Sequence, residues 1–142
     1  MFTQRRFIQL HDTDAYGILF FANQLRFCHD AFQEWLRQLG MPMEPRRDRA
    51  AFVAVVVHAE SDYTAPVELG DEITVTMHVA KLGTTSFTSA FSFTNQRGVA
   101  VGGARLVQVT INPMTSVKIA IPGDLRVALA GNQAGNQNPN PT

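Results

Sequence analysis

Two carboxylates, Asp12 and Asp14, stand in the run His11-Asp12-Thr13-Asp14-Ala15-Tyr16-Gly17, between an alternating segment and the start of an amphipathic helix. A helix N-terminus carries backbone N–H groups with no intrahelical acceptor, and such groups polarise a carbonyl or hold an anion. A carboxylate beside them makes a minimal acyl-transfer site: one group to attack a carbonyl carbon or activate water, another to receive the developing oxyanion. The same residues also admit a structural reading, because Asp and Gly are turn formers and aspartates before a helix can merely cap it.

The elements that must position these residues are one helix and several strands. Residues 3–10 alternate around Phe2, Arg6, Ile8 and Leu10 and predict a first strand. From about Asn23 to Leu39, the residues Cys28, Ala31, Phe32, Trp35, Leu36 and Leu39 form one apolar stripe at helical spacing, and Gly40 then Pro42 end it. Asp30, Gln33, Glu34, Arg37 and Gln38 make the opposite, solvated face. The loop from Met41 to Arg49 carries Arg46, Arg47 and Arg49, an ordinary solvated cluster.

Four strand-like runs follow, with no second helical period. Phe52 to Val57 is continuously apolar and predicts a strand buried on both faces beneath the helix, broken afterwards by Pro66 and Gly70. Ile73, Val75, Met77 and Val79 alternate with polar residues, and Phe87, Phe91 and Phe93 share one face after a turn at Gly83. Val107, Val109 and Ile111 alternate in a last strand reached through Gly98, with Gly102-Gly103 as an expected bulge. The expected architecture is α+β: one domain over residues 1–130, then a polar Asn-, Gln- and Pro-rich tail over 131–142 expected to be disordered.

Composition narrows the function classes. Twelve basic residues balance twelve acidic ones among 142, so no general field draws the chain to nucleic acid or anionic lipid. No apolar run approaches membrane-spanning length, and Met1 to Arg6 lacks the core of a signal peptide. Cys28 is the only cysteine, which excludes an intramolecular disulfide and predicts a reducing, cytoplasmic setting.

The run Asp12-Thr13-Asp14-Ala15-Tyr16-Gly17-Ile18-Leu19-Phe20-Phe21-Ala22-Asn23 resembles the signature of the 4-hydroxybenzoyl-CoA thioesterase family of hotdog-fold proteins. Cys28 to Leu36 and Val57 to Tyr63 most resemble the branch of that family acting on 1,4-dihydroxy-2-naphthoyl-CoA in phylloquinone and menaquinone synthesis, and the likeness spans most of residues 3–112. The resemblance implies a hotdog fold, an antiparallel sheet of about five strands wrapped around one long central helix. It implies an acyl-CoA substrate, no cofactor, and a homodimer or homotetramer. By position it makes Asp14 the nucleophile or general base and the backbone N–H of Phe21 the oxyanion donor. Tyr16, Gly17, Phe20, His58, Ser61 and Thr64 are the expected substrate-binding residues, the last two from a neighbouring subunit.

Other residues carry weaker signals. Asp12 reads as turn-stabilising, since two adjacent ionised carboxylates repel. His58 follows an apolar run and reads first as a hydrogen-bonded structural histidine. The four histidines lack ligand spacing, so no metal is expected. Glu34 is the competing carboxylate, because another hotdog branch places its catalytic acid on the helix. Short-chain relatives carry His where Phe21 stands and Tyr where Gln24 stands, so Tyr16, Phe20 and Phe21 point to a flat aromatic acyl group. The family's basic residues for the CoA phosphates are missing at Gly83-Thr84-Thr85-Ser86, leaving Lys81, Lys118 or Arg126 to substitute. The alternatives are a 4-hydroxybenzoyl-CoA or short-chain acyl-CoA thioesterase, and a binding module without turnover.

Overall fold

The computed structural model describes residues 1–135. Helix α1 spans Phe21–Gln38 and buries Cys28, Ala31, Phe32, Trp35 and Leu36 as its spacing predicts, together with Phe27, whereas Leu39 caps the helix and is 46% exposed. Its end is set by Gly40 at φ +75°, a left-handed position that favours glycine. The Gly40 N–H donates to Arg37 O at 3.1 Å and the Met41 N–H to Leu36 O at 2.9 Å, the two bonds of a Schellman cap.

The strands are β1 (Phe2–Phe7), β2 (Val53–Tyr63), β3 (Glu72–Leu82), β4 (Ser86–Thr94) and β5 (Ala100–Ile111). They form one antiparallel sheet in the order β1-β3-β4-β5-β2. Helix α1 lies against β3 and reaches β1, β2 and β5. Ile73, Val75 and Met77 of β3 and Phe87, Phe91 and Phe93 of β4 supply the sheet side of the core, as their alternation requires. Phe32 of α1 meets Phe87 with ring centroids 5.8 Å apart. A five-stranded antiparallel sheet with two helices is consistent with the hotdog fold that the resemblance implies.

Three expectations are corrected. A second helix, α2 (Gly123–Gly131), follows the last strand and buries Leu125 and Leu129. Two apolar anchors in nine residues leave too short a stripe to stand out as a helical period. The run from Phe52 is an edge strand, not a central one: β2 pairs only with β5, and Val57 is 59% exposed. Apolar composition alone does not distinguish a strand covered on both faces from one awaiting a cover. Its ladder is irregular at Val57, between Val56 and His58, where the register to β5 shifts. The inner face of β5 carries Val101, Ala104 and Leu106 and then the buried polar Gln108 and Thr110, while Val107, Val109 and Ile111 alternate with them as expected on the other face, where Val109 is also buried. Finally, Gly102 and Gly103 pair in register with β2, and the β4 register shifts beside them between Phe93 and Thr94.

The expected tail begins inside ordered structure. Gly131 closes α2, Asn132 is buried, and its carbonyl accepts from the Val79 N–H of β3 at 2.9 Å. Residues 136–142 lie outside the described residues. Truncation before Asn132 is therefore expected to lower stability by about 1 kcal/mol, the ordinary net worth of one such bond, read as a lower urea midpoint.

Candidate active site

The Asp14 loop is a tight hairpin. The Asp14 N–H donates to Ile18 O and the Gly17 N–H to Asp14 O, both at 2.9 Å, and Thr13 bridges Leu19. Gly17 has φ +78°, the conformation that an extra residue in such a turn adopts. The returning limb pairs with the segment before β3: Ile18 bridges Glu68, and the Leu19 N–H donates to Val67 O at 2.7 Å. The loop is thus held on both sides before α1 begins.

Within it the two aspartates have different surroundings. Asp12 is 2% exposed. Its Oδ1 accepts from Arg26 at 2.6 Å and its Oδ2 from the Gln9 N–H at 2.9 Å. Its main-chain carbonyl accepts from the Phe20 N–H and from Asn23 Nδ2, tying the loop to the start of α1. Asp14 is half-buried, with Oδ1 accepting from the Tyr16 N–H at 2.9 Å and no protein donor on Oδ2 among the described residues.

Asp14 borders a cleft of about 430 Å³ together with Ile18, Leu19, Phe21, Gln24, Tyr63, Thr64, Pro66, Val67 and Val101. The walls are largely apolar, which suits burial of an acyl group. Helix α1 enters the cleft without a side-chain cap and with no acidic residue in its first turn. The N–H of Phe21, its first residue, donates to nothing among the described residues. Asp14 and the first residue of α1, whose amide has no acceptor among the described residues, therefore line the same cavity.

Of the expected site residues, Asp14, Phe21 and Thr64 meet at this cleft. Ser61 adjoins it through Gln24, whose Nε2 donates to Ser61 Oγ at 2.8 Å. Within the one chain Thr64 lines this cleft beside Tyr63, which pairs with Gly102 at the end of β2 while its hydroxyl donates to Phe21 O. Tyr16 sits at the hairpin tip, 89% exposed, and does not line the cleft. Phe20 packs edge-to-face on Phe21 outside it, with centroids 4.9 Å apart. His58 is exposed on the edge strand, and its side chain makes no hydrogen bond among the described residues, unlike the structural histidine expected there. Gln24 and Tyr63 were not singled out as ligand contacts; they reach the cleft by pairing across the fold that no local spacing announces.

A larger cleft of about 500 Å³ borders the C-terminal end of α1, with Met41, Met43 and Phe52 among its walls, and no expected site residue lines it. Glu34 is engaged elsewhere: Arg37 holds it at 2.6 and 2.8 Å and Gln38 at 3.1 Å, which keeps its carboxyl down at about 2. Its folded pKa lies below the unfolded one, so what this pair contributes is present above about pH 4.3 and fades as pH falls through about 2. Glu34→Gln is expected to leave kcat within about twofold of the parent in a thioester assay, because the exposed pair serves the helix surface alone. Burial pushes the Cys28 thiol up to about 12, consistent with an inert core residue. Arg126 of α2 donates to the carbonyls of Gly83 and Thr84, placing a guanidinium at the turn that lacks basic residues of its own, while Lys81 and Lys118 are exposed.

A 1,4-dihydroxy-2-naphthoyl-CoA hydrolase of Rippkaea orientalis is 33% identical over 112 residues, covering 78% of this chain and 81% of the relative. One from Thermosynechococcus vestitus is 29% identical over 121 residues, covering 85% and 83%. The crystal structure of a 1,4-dihydroxy-2-naphthoyl-CoA thioesterase from Synechocystis superposes with a TM-score of 0.84 at 25% identity, over 91% of this chain and 95% of that one. The family model described as the thioesterase-like superfamily matches residues 8–129, which take in the Asp14 hairpin, α1 and the whole cleft, and this chain belongs to that superfamily.

Proposed function

We propose that the chain hydrolyses an aromatic acyl-CoA thioester, 1,4-dihydroxy-2-naphthoyl-CoA, to 1,4-dihydroxy-2-naphthoate and CoA, a step in phylloquinone or menaquinone synthesis. The observation that carries this is the shared cleft: Asp14 with one carboxylate oxygen oriented by the Tyr16 N–H and the other free, beside the unbonded Phe21 N–H. In the general-base form, Asp14 Oδ2 takes a proton from water as its oxygen bonds to the thioester carbon. The carbonyl oxygen becomes an oxyanion held by the Phe21 N–H; collapse restores the carbonyl, breaks the C–S bond and releases CoA, which takes up the proton. In the nucleophilic form Oδ2 itself bonds to that carbon and expels the CoA thiolate, and water hydrolyses the resulting anhydride. Single turnover in ¹⁸O-water tests the second: label in the Asp14 carboxylate shows an anhydride opened at the Asp14 carbon, whereas label confined to the acid product fits direct attack by water or opening at the acyl carbon.

The aromatic reading is supported by the names of the relatives and by the largely apolar walls of the cleft. Its test is kcat/KM for naphthoyl, benzoyl and aliphatic CoA esters. The expected order places the bicyclic ester first; a preference for aliphatic esters overturns the assignment, and binding without thiol release replaces the enzyme with a binding module.

The same reading extends to assembly. The sheet curls about α1 as a hotdog unit, and the free edge of β2, with Val56 and Val57 exposed, pairs with a second copy across a two-fold axis. Two such dimers make a tetramer working in the cytoplasm. A fully active monomer by light scattering at micromolar concentration would refute the assembly.

A further inference from the structure

Gln24, on the first turns of α1, is a buried amide at the wall of the cleft. Its Nε2 donates to Ser61 Oγ at 2.8 Å, to Asp62 O at 2.9 Å and more weakly to Gly103 O at 3.3 Å. Two of these partners are carbonyls, which only accept, so the atom bonded to them is the nitrogen, and Oε1, which also stands over Gly102, is the acceptor that this bonding leaves unused. Oε1 receives no hydrogen bond among the described residues, and it is not one of the sealed, unpaired polar atoms of the core.

The sheet makes room for this group. A Cβ at Gly102 would stand 2.7 Å from Gln24 Oε1 and 2.6 Å from Asp62 O, so the amide occupies space that a side chain would fill. The neighbouring hydroxyls are committed: Tyr63 donates to Phe21 O and Thr64 Oγ1 to Ala100 O. Gln24 therefore brings an unused acceptor to a residue that lines a largely apolar cleft.

Resting on the reading that the cleft takes an aromatic acyl-CoA, we propose that Gln24 Oε1 selects ring-hydroxylated acyl groups by accepting a hydrogen bond from a ring hydroxyl. A hydroxylated ring satisfies the acceptor, whereas a bare ring displaces water from it and leaves it unpaired. Such a site discriminates against the missing hydroxyl more strongly than an apolar wall discriminates for shape.

The test compares kcat/KM for 1,4-dihydroxy-2-naphthoyl-CoA and 2-naphthoyl-CoA. The parent protein is expected to prefer the hydroxylated ester by about tenfold or more. Gln24→Met, of similar length, should erase that preference by slowing the hydroxylated ester alone, while Ser61→Ala keeps Oε1 and keeps the preference. Equal losses on both esters in Gln24→Met would assign Gln24 to packing or to the attacking water and overturn the proposal. Should Gln24→Met fail to fold, inhibition of the parent by 1-hydroxy-2-naphthoate and by 2-naphthoate decides: a Ki ratio near ten supports selection, and equal Ki values overturn it. Equal turnover of the two naphthoyl esters defeats the role of Gln24 alone. Hydrolysis of aliphatic esters with neither naphthoyl ester touched defeats the aromatic reading itself and this proposal with it.

Discussion

Replacing Asp14 by Asn is expected to lower kcat by about a hundredfold or more with the fold intact. Asn keeps the shape of Asp, and its Oδ1 still accepts from the Tyr16 N–H, so the hairpin turn survives. What disappears is the charge on the free oxygen, and with it the ability to take a proton or to attack a carbon. Circular dichroism and binding of the CoA ester should match the parent while thiol release falls. If Asp14 only shaped the turn, Asn would serve about as well and turnover would be nearly unchanged. Near-normal kcat would therefore remove Asp14 from the chemistry.

Asp12→Ala should produce the opposite pattern. The buried carboxylate accepts from Arg26 and from the Gln9 N–H, and its removal leaves that amide without its acceptor and Arg26 without its counter-charge. Arg26 is half exposed and recovers water, so the loss is expected at about 2–3 kcal/mol, below that of a fully buried pair. For a chain of this size that is a fall in Tm of about 5–10 °C. The main-chain carbonyl of Asp12 still receives Phe20 and Asn23, so the Asp14 loop keeps its attachment to α1. At temperatures well below the transition kcat should fall by less than about tenfold. A stable but inactive Asp12→Ala would mean that this residue touches the reaction.

Periodic and punctuated features were legible in the sequence. The stripe on α1 and its stop at Gly40 follow from helical spacing and from the one conformation that a glycine reaches easily. Asp14 and the Phe21 amide could be placed because they belong to one local run that ends in a helix start. Features that depend on partners distant in the chain were not legible. The valines of β2 read as core because composition does not say which neighbour a strand has, and only the sheet order makes β2 an edge. Helix α2 has two anchors, Leu125 and Leu129, too few to show a period. Gln24 was marked only for a departure from short-chain relatives, since its partners Ser61, Asp62 and Gly103 lie 37 to 79 positions away.

The close approach of Gln24 to Gly102 also constrains how this chain can diverge. Neither position is free to drift alone: any side chain at 102 collides with the amide at 24, and a short residue at 24 leaves a void over a bare glycine. Gly102→Ala should destabilise the protein more in the parent than in a Gln24→Ala background, with a coupling measurable in a double-mutant cycle. Because the Asp62 carbonyl also stands 2.6 Å from the same Cβ position, descendants of this sequence that recognise a different acyl group are expected to keep glycine at 102 and to accompany any exchange at 24 with changes in the residues that fill the void.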